Sequence, residues 1–171
     1  MKEKFYWGAA TSSYQVEGDN HNNWSEFEKA QGIEQSGRAC EHYSRYKEDF
    51  DIAKSLGHGA HRFSIEWSRI EPEEGEFDER EIQHYRDVIE ALRARDLEPF
   101  VTLWHWTIPL WLRDKGGVLA RDFPQFFTRY AEKIAMLLGK DVTYWITVNE
   151  PEIFSLNSYG RGVWPPQKKG L

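Results

Sequence analysis

The 171-residue sequence predicts an α/β fold, one half of a (β/α)8 barrel, with four parallel strands and their helices forming a single domain over residues 1–171. Strand-like and helix-like patterns alternate along the chain, which favours a parallel sheet joined by crossover connections. The first strand is followed by Thr11-Ser12-Ser13-Tyr14-Gln15-Val16-Glu17-Gly18, without the glycine-rich phosphate loop of a nucleotide-binding doubly wound sheet. A complete barrel takes ~250 residues, so four strands in 171 residues amount to half of one.

The aromatic and small residues of 5–10 read as a first buried strand. Residues 11–40 are polar, carry Gly18, Gly32 and Gly37, and read as a long connection with a helical turn near 26–31. A helix is predicted over 41–56, where Tyr43, Tyr46, Phe50 and Ala53 recur at three- and four-residue steps before Gly57. Residues 60–67 alternate Phe63, Ile65 and Trp67 as a second strand. The acidic run Glu71, Glu73, Glu74, Glu76 and Glu79 lacks calcium-loop spacing and reads as a solvated loop and helix start. Asp78 and Glu81 stand in capping-box relation ahead of the stripe Ile82, Tyr85, Ile89 and Leu92. A third strand follows at 99–104. Asp122 and Gln125 are then expected to cap a helix with Pro124 early in it and Phe127, Tyr130, Ile134 and Leu138 on its buried face. Residues 143–148 form the fourth strand.

Composition excludes several function classes. Twenty-two Lys+Arg against 28 Asp+Glu give a net charge of -6, the wrong sign for a nucleic-acid partner. No apolar run approaches the ~20 residues that span a bilayer, and residues 1–11 show no apolar signal region. One cysteine rules out an internal disulfide framework and fits a reducing, cytoplasmic setting. His58 and His61 are three apart, but no carboxylate or cysteine set completes a metal site around them. The eight tryptophans suit either a Trp-rich core or stacking against the C–H faces of sugars.

Barrel enzymes place their catalytic groups at the C-terminal ends of the strands. Here those ends offer Gln15 and Glu17, then Arg62 and Glu66, then Trp104-His105-Trp106, and finally Asn149-Glu150-Pro151. Four strands aiming an amide, a cation, an imidazole and a carboxylate at one rim is a catalytic pattern. Each residue alone also has a plainer reading: Gln15 as a loop amide, Arg62 as any carboxylate's ion-pair partner, His105 as a core histidine, Glu150 as a capping carboxylate. Glu150 follows an apolar strand and precedes Pro151, which disfavours helical backbone. A carboxyl dehydrated among aromatics has its pKa raised above ~4.3, as a general acid at neutral pH requires.

The segments Trp7-Gly8-Ala9-Ala10-Thr11-Ser12-Ser13-Tyr14-Gln15-Val16-Glu17-Gly18, His42-Tyr43-Ser44-Arg45-Tyr46-Lys47-Glu48-Asp49, Arg62-Phe63-Ser64-Ile65-Glu66-Trp67-Ser68-Arg69-Ile70 and Thr147-Val148-Asn149-Glu150-Pro151 closely resemble glycoside hydrolase family 1. These are β-glucosidases, β-galactosidases and their relatives, retaining enzymes on a (β/α)8 barrel. The resemblance implies that Glu150 is the general acid/base and that Arg62 pairs with the nucleophilic carboxylate. It likewise implies that Gln15 and His105 bind the sugar with Trp106 beside them, and that Asn149 holds its 2-hydroxyl. No cofactor or metal is implied. Ser25 and Thr107 stand where many members have aspartate, and the tail Gly162-Val163-Trp164-Pro165-Pro166 is similar to only a subset of them.

A retaining mechanism needs a second carboxyl ~5–5.5 Å from the acid/base. Glu17 and Glu66 are local carboxylates, but neither matches the nucleophile motif, so the chain alone is expected not to perform the family reaction. Half a barrel would also leave its first and last strands as open apolar edges. The expectation is a complementary C-terminal half-barrel chain that supplies the remaining strands and the nucleophile for a β-linked sugar substrate. The alternative is a second copy of this chain, giving an inactive homo-oligomer with residual sugar binding.

Overall fold

The computed structural model describes residues 5–170. Among them, β1 (Gly8–Ala10), β2 (Ala60–Ser64), β3 (Glu98–Trp104) and β4 (Tyr144–Val148) form a four-stranded sheet in the order β1-β2-β3-β4. All three pairings are parallel, with Arg62 opposite both Ala10 and Phe100, and Phe100 opposite Tyr144. This is the alternating half-barrel arrangement expected from the sequence.

After β1 come α1 (Ser13–Val16) and α2 (Asn23–Gln31); α3 (His42–Ser55) then precedes β2. After β2 lie α4 (Trp67–Ile70) and α5 (Glu79–Arg93), and after β3 lie α6 (Leu110–Asp114) and α7 (Phe123–Leu138). Following β4, α8 (Pro151–Ser155) runs into a π turn, Leu156–Gly160. The core sits between the sheet and α3, α5 and α7. Phe50, Leu92 and Ile134 are fully buried there, and the Trp67 and Tyr130 rings stack at 4.6 Å. The predicted stripes of α5 and α7 supply Ile82, Tyr85, Ile89, Leu92, Tyr130, Ile134 and Leu138 to it.

Several expectations need correction. The first strand is three residues long and exposed throughout, because only its β2 side is paired. Phe5 and Trp7 are also exposed. Gly8 is required where it stands: a Cβ there would lie 2.1 Å from the Ala60 carbonyl oxygen, so the two strands approach over a bare backbone. The long connection contains a nine-residue helix, α2, nucleated by a reciprocal cap between Asn22 and Ser25. The second strand stops at Ser64, and Trp67 begins α4.

The Asp78 carboxylate accepts from the Arg80 and Glu81 amides, but Glu81 turns away to take the Tyr43 hydroxyl, so only half of the expected box forms. Asp122 makes no side-chain cap; its backbone, at φ -95° and ψ 8°, is not in the extended conformation that aims a capping side chain at the helix start. Within the acidic run, Glu73, Glu74 and Glu76 are exposed, whereas Glu71 is fully buried. It accepts from Trp67 Nε1 at 2.9 Å and Gly75 N at 2.8 Å, and it pairs with Arg129 on α7.

Candidate active site

At the C-terminal end of the strands, Arg62 of β2 is half-buried and extends toward the ends of β3 and β4. It donates from Nη2 to Asn149 Oδ1 at 2.7 Å, and its Nη1 lies 3.3 Å from His105 Nδ1. Arginine only donates, so Nδ1 must be the acceptor and the neutral imidazole carries its proton on Nε2. Burial, with Arg62 adding to it, lowers the His105 pKa to about 4, which keeps the ring neutral at physiological pH. Asn149 Nδ2 sits 3.3 Å from His105 Nε2. With the amide oxygen committed to Arg62, both of these nitrogens are donors, so that contact is not a hydrogen bond in this tautomer. Arg62 thus leaves two N–H donors, one on His105 and one on Asn149, for acceptors that no hydrogen bond among the described residues supplies.

His105 and Trp106 follow β3 in a tight turn. The Thr107 amide donates back to the His105 carbonyl at 3.0 Å, and Trp106 at its centre has φ 74°. A three-residue turn with positive φ is rare and strained, and for a non-glycine residue costs on the order of 1–3 kcal/mol. The strain is held by bonds on both sides: Trp106 Nε1 donates to the Asn149 carbonyl at 2.8 Å, and Trp104 Nε1 to the Thr107 carbonyl at 3.0 Å. The turn presents both rings to a cavity of about 360 Å³ that Gln15, Trp24 and Trp164 also line. Gln15, exposed on α1, accepts the Ser12 hydroxyl at 2.7 Å on Oε1, which leaves its amide N–H₂ to donate. Trp164 lies 4.7 Å from Trp106 and 5.4 Å from Trp24, centroid to centroid.

Glu150 closes β4 and precedes α8, with φ 41° and ψ 61°. The left-handed backbone ends the strand abruptly and starts α8 through its carbonyl, which accepts from the Ile153 and Phe154 amides. The side chain is exposed, and its charge reaches Arg62. The dehydrating surroundings expected for this carboxyl are therefore not provided by the described residues.

The structure gathers Gln15, His105 and Trp106 around one cavity, joins Arg62 and Asn149 to it through His105, and sets Glu150 beside them at the open rim. Trp24 and Trp164 belong to the same wall and were visible in the sequence only as part of the tryptophan surplus. A second cavity of about 380 Å³, reached by Phe27, Ile108 and Phe154, contains none of the expected residues. Among the described residues no group of three or more His, Cys, Asp or Glu is placed to hold a metal ion. No helix among them is long and apolar enough to cross a membrane.

Beneath this surface lie two buried carboxylates. Glu17 takes the Tyr85 hydroxyl at 2.8 Å and Arg69 Nε at 3.0 Å; burial outweighs Arg69 and pushes its pKa up to about 7. Glu66 is fully buried and makes no ion pair among the described residues. Instead it accepts from the hydroxyls of Ser13 at 2.9 Å, Ser68 at 2.7 Å and Thr107 at 3.0 Å, and from Asn22 Nδ2 at 3.3 Å.

The profile of Glycosyl hydrolase family 1 matches residues 1–170. The chain belongs to that family. It is 36% identical over 180 residues to a 1,4-beta-D-glucan glucohydrolase of Thermotoga neapolitana, covering 99% of this chain and 42% of that protein. It is 38% identical over 178 residues to Beta-glucosidase A of Acetivibrio thermocellus, covering 98% and 40%. Among solved structures, a beta-glycosidase from Pyrococcus horikoshii superposes with TM-score 0.91 at 42% identity, over 97% of this chain and 40% of that one. The rice Os3BGlu6 Beta-Glucosidase superposes with TM-score 0.94 at 34% identity, over 98% and 38%. This family 1 chain therefore spans about two fifths of the length of the relatives it matches.

Proposed function

We propose that this chain supplies the acid/base and sugar-holding half of a retaining β-glycosidase acting on β-glucosides or β-galactosides. The single observation that carries the reading is the Arg62–His105–Asn149 cluster, with its unspent donors set between an aromatic cavity and the Glu150 carboxyl. Donors from Gln15, His105 and Asn149 match the hydroxyl ring of a pyranose, and Trp106 offers a flat face to its C–H side.

In the reaction, Glu150 protonates the glycosidic oxygen as the bond to the leaving group breaks. A second carboxylate ~5–5.5 Å away attacks the anomeric carbon, and Glu150 then takes a proton from the water that releases the sugar. Arg62, a cation at the same strand ends, would pair with that second carboxylate and hold it ionised. The open edges of β1 and β4, and the share of the relatives' length matched here, support a complementary half-barrel chain as its source. Enclosure by that half would also dehydrate Glu150, the condition for an acid at neutral pH. Cys40 is exposed and free, which supports a reducing, cytoplasmic setting.

The test is reconstitution. Mixing the chain with the C-terminal remainder of the Pyrococcus horikoshii enzyme should yield a heterodimer that hydrolyses an aryl β-glucoside. Glu150→Gln should lower that rate by at least ~100-fold, the contribution of a general acid/base. A stable heterodimer as active with Glu150→Gln as without it would remove Glu150 from the chemistry.

A further inference from the structure

The buried carboxylate of Glu66 has a connectivity that goes beyond packing. Its four side-chain donors come from the β1–α1 junction (Ser13), the start of α2 (Asn22), the start of α4 (Ser68) and the loop after β3 (Thr107). Three of those segments carry cavity groups. Ser13 begins the helix that bears Gln15, Asn22 caps the helix that bears Trp24, and Thr107 closes the turn that presents His105 and Trp106. Glu66 itself is fixed from below, since its own amide donates to the Tyr85 hydroxyl at 2.9 Å.

The link through Thr107 bears on the strained element. The Trp106 turn sits at φ 74° and must be held by its flanks. Toward β4 it is held by the Trp106 indole on the Asn149 carbonyl; toward the interior it is held by the Thr107 hydroxyl on Glu66 Oε2. An aspartate at 107 would set two carboxylates in contact at a fully buried point. Threonine is the residue that complements Glu66, because it offers a donor where aspartate offers only acceptors.

We propose that Glu66 is a positioning residue of the sugar site: through Thr107 it fixes the His105-Trp106-Thr107 turn in the geometry that presents His105 and Trp106 to the ligand. The assignment rests on the glycosidase reading for its consequence in sugar binding, but not for its consequence in the turn. Thr107→Val removes the donor and keeps the shape; Thr107→Ser restores the donor.

In the 171-residue chain, two quantities are measured. One is solvent exchange of the Trp106 indole N–H by NMR, assigned through Trp106→Phe, with the Val101 amide in β3 as the reference for overall stability. The other is affinity for 1-deoxynojirimycin, a glucose-shaped iminosugar. Thr107→Val should speed exchange at Trp106 about tenfold, with Val101 unchanged, and weaken the iminosugar about tenfold, as loss of one buried hydrogen bond would; Thr107→Ser should bring both back. Unchanged exchange at Trp106 in Thr107→Val overturns the proposal. So does equal acceleration at Trp106 and Val101, which is a purely structural effect, or failure of Thr107→Ser to rescue. If exchange at Trp106 responds as expected while none of the three proteins binds the iminosugar, the role of Glu66 in the turn is upheld and its consequence for sugar binding is overturned; the glycosidase reading fails separately, if the reconstituted heterodimer is inactive on the aryl β-glucoside.

Discussion

The ends of β2 and β4 each lead into a glutamate, and the chain treats the two in opposite ways. Glu66, two residues beyond β2, is fully buried and holds four side-chain donors from four segments. Glu150, two residues beyond β4, is exposed, sits in left-handed backbone, and gives α8 its carbonyl rather than its side chain. The difference follows from place in the sheet. The end of β2 has β1 on one side and β3 on the other, so loops close over it from both. The end of β4 is an edge, and nothing in the described residues covers its far side. A carboxylate surrounded by donors is committed to structure; one left free at a rim beside a guanidinium is available for chemistry.

The comparison breaks most sharply if the buried member can be removed at no cost. Glu66→Ala strands the donors of Ser13, Asn22 and Thr107 in a site closed to water, and should lower the stability of the chain by about 3 kcal/mol, a few unsatisfied buried groups at ~1 kcal/mol each. Urea denaturation at fixed pH reads this from the midpoint. A loss below ~0.5 kcal/mol, the size of an ordinary surface substitution, would mean that Glu66 is no more integral than Glu150.

Much of this was legible beforehand. The strand–helix alternation and the stripes of α5 and α7 are local patterns, each decided by residues a few positions apart; the gathering of Gln15, Arg62, His105, Asn149 and Glu150 at one end of the sheet follows from each one's place along its own strand once the strands are parallel. Glu66 was not legible as a hub, because its partners Ser13 and Thr107 lie 53 and 41 residues away. Glu71 misled for the same reason: in sequence it heads an acidic run, in space it meets Trp67 and Arg129, the latter 58 residues distant. Only the later part of α2 was legible, as the helical turn near 26–31, because its start depends on the Asn22–Ser25 cap rather than on a hydrophobic stripe; of its nine residues only Asn23 is buried.

Between the two glutamates stands His105, and its titration sharpens the contrast. Burial and Arg62 lower its folded pKa to about 4 from an ordinary 6.5. The unfolded chain therefore binds a proton that the folded site refuses. Its contribution to stability is complete above pH 6.5 and is lost as pH falls from there toward 4. His105→Gln should consequently show a shallower decline in stability over that window than the parent chain, measured by denaturant midpoints at successive pH values. An identical decline would mean that the ring is protonated freely, and that Nδ1 is not reserved for Arg62.

The smallest expected effect belongs to Glu150. With an exposed side chain that makes no hydrogen bond among the described residues, Glu150→Gln should change the stability of the isolated chain by less than ~0.5 kcal/mol, although the same substitution should remove most activity from the reconstituted barrel. A residue that is nearly silent in folding yet decisive in turnover is held for chemistry rather than for the fold. Should Glu150→Gln instead destabilise the chain by an amount approaching that of Glu66→Ala, the rim carboxylate would be a structural element of the β4 end, and the division of labour between the two strand ends would not hold.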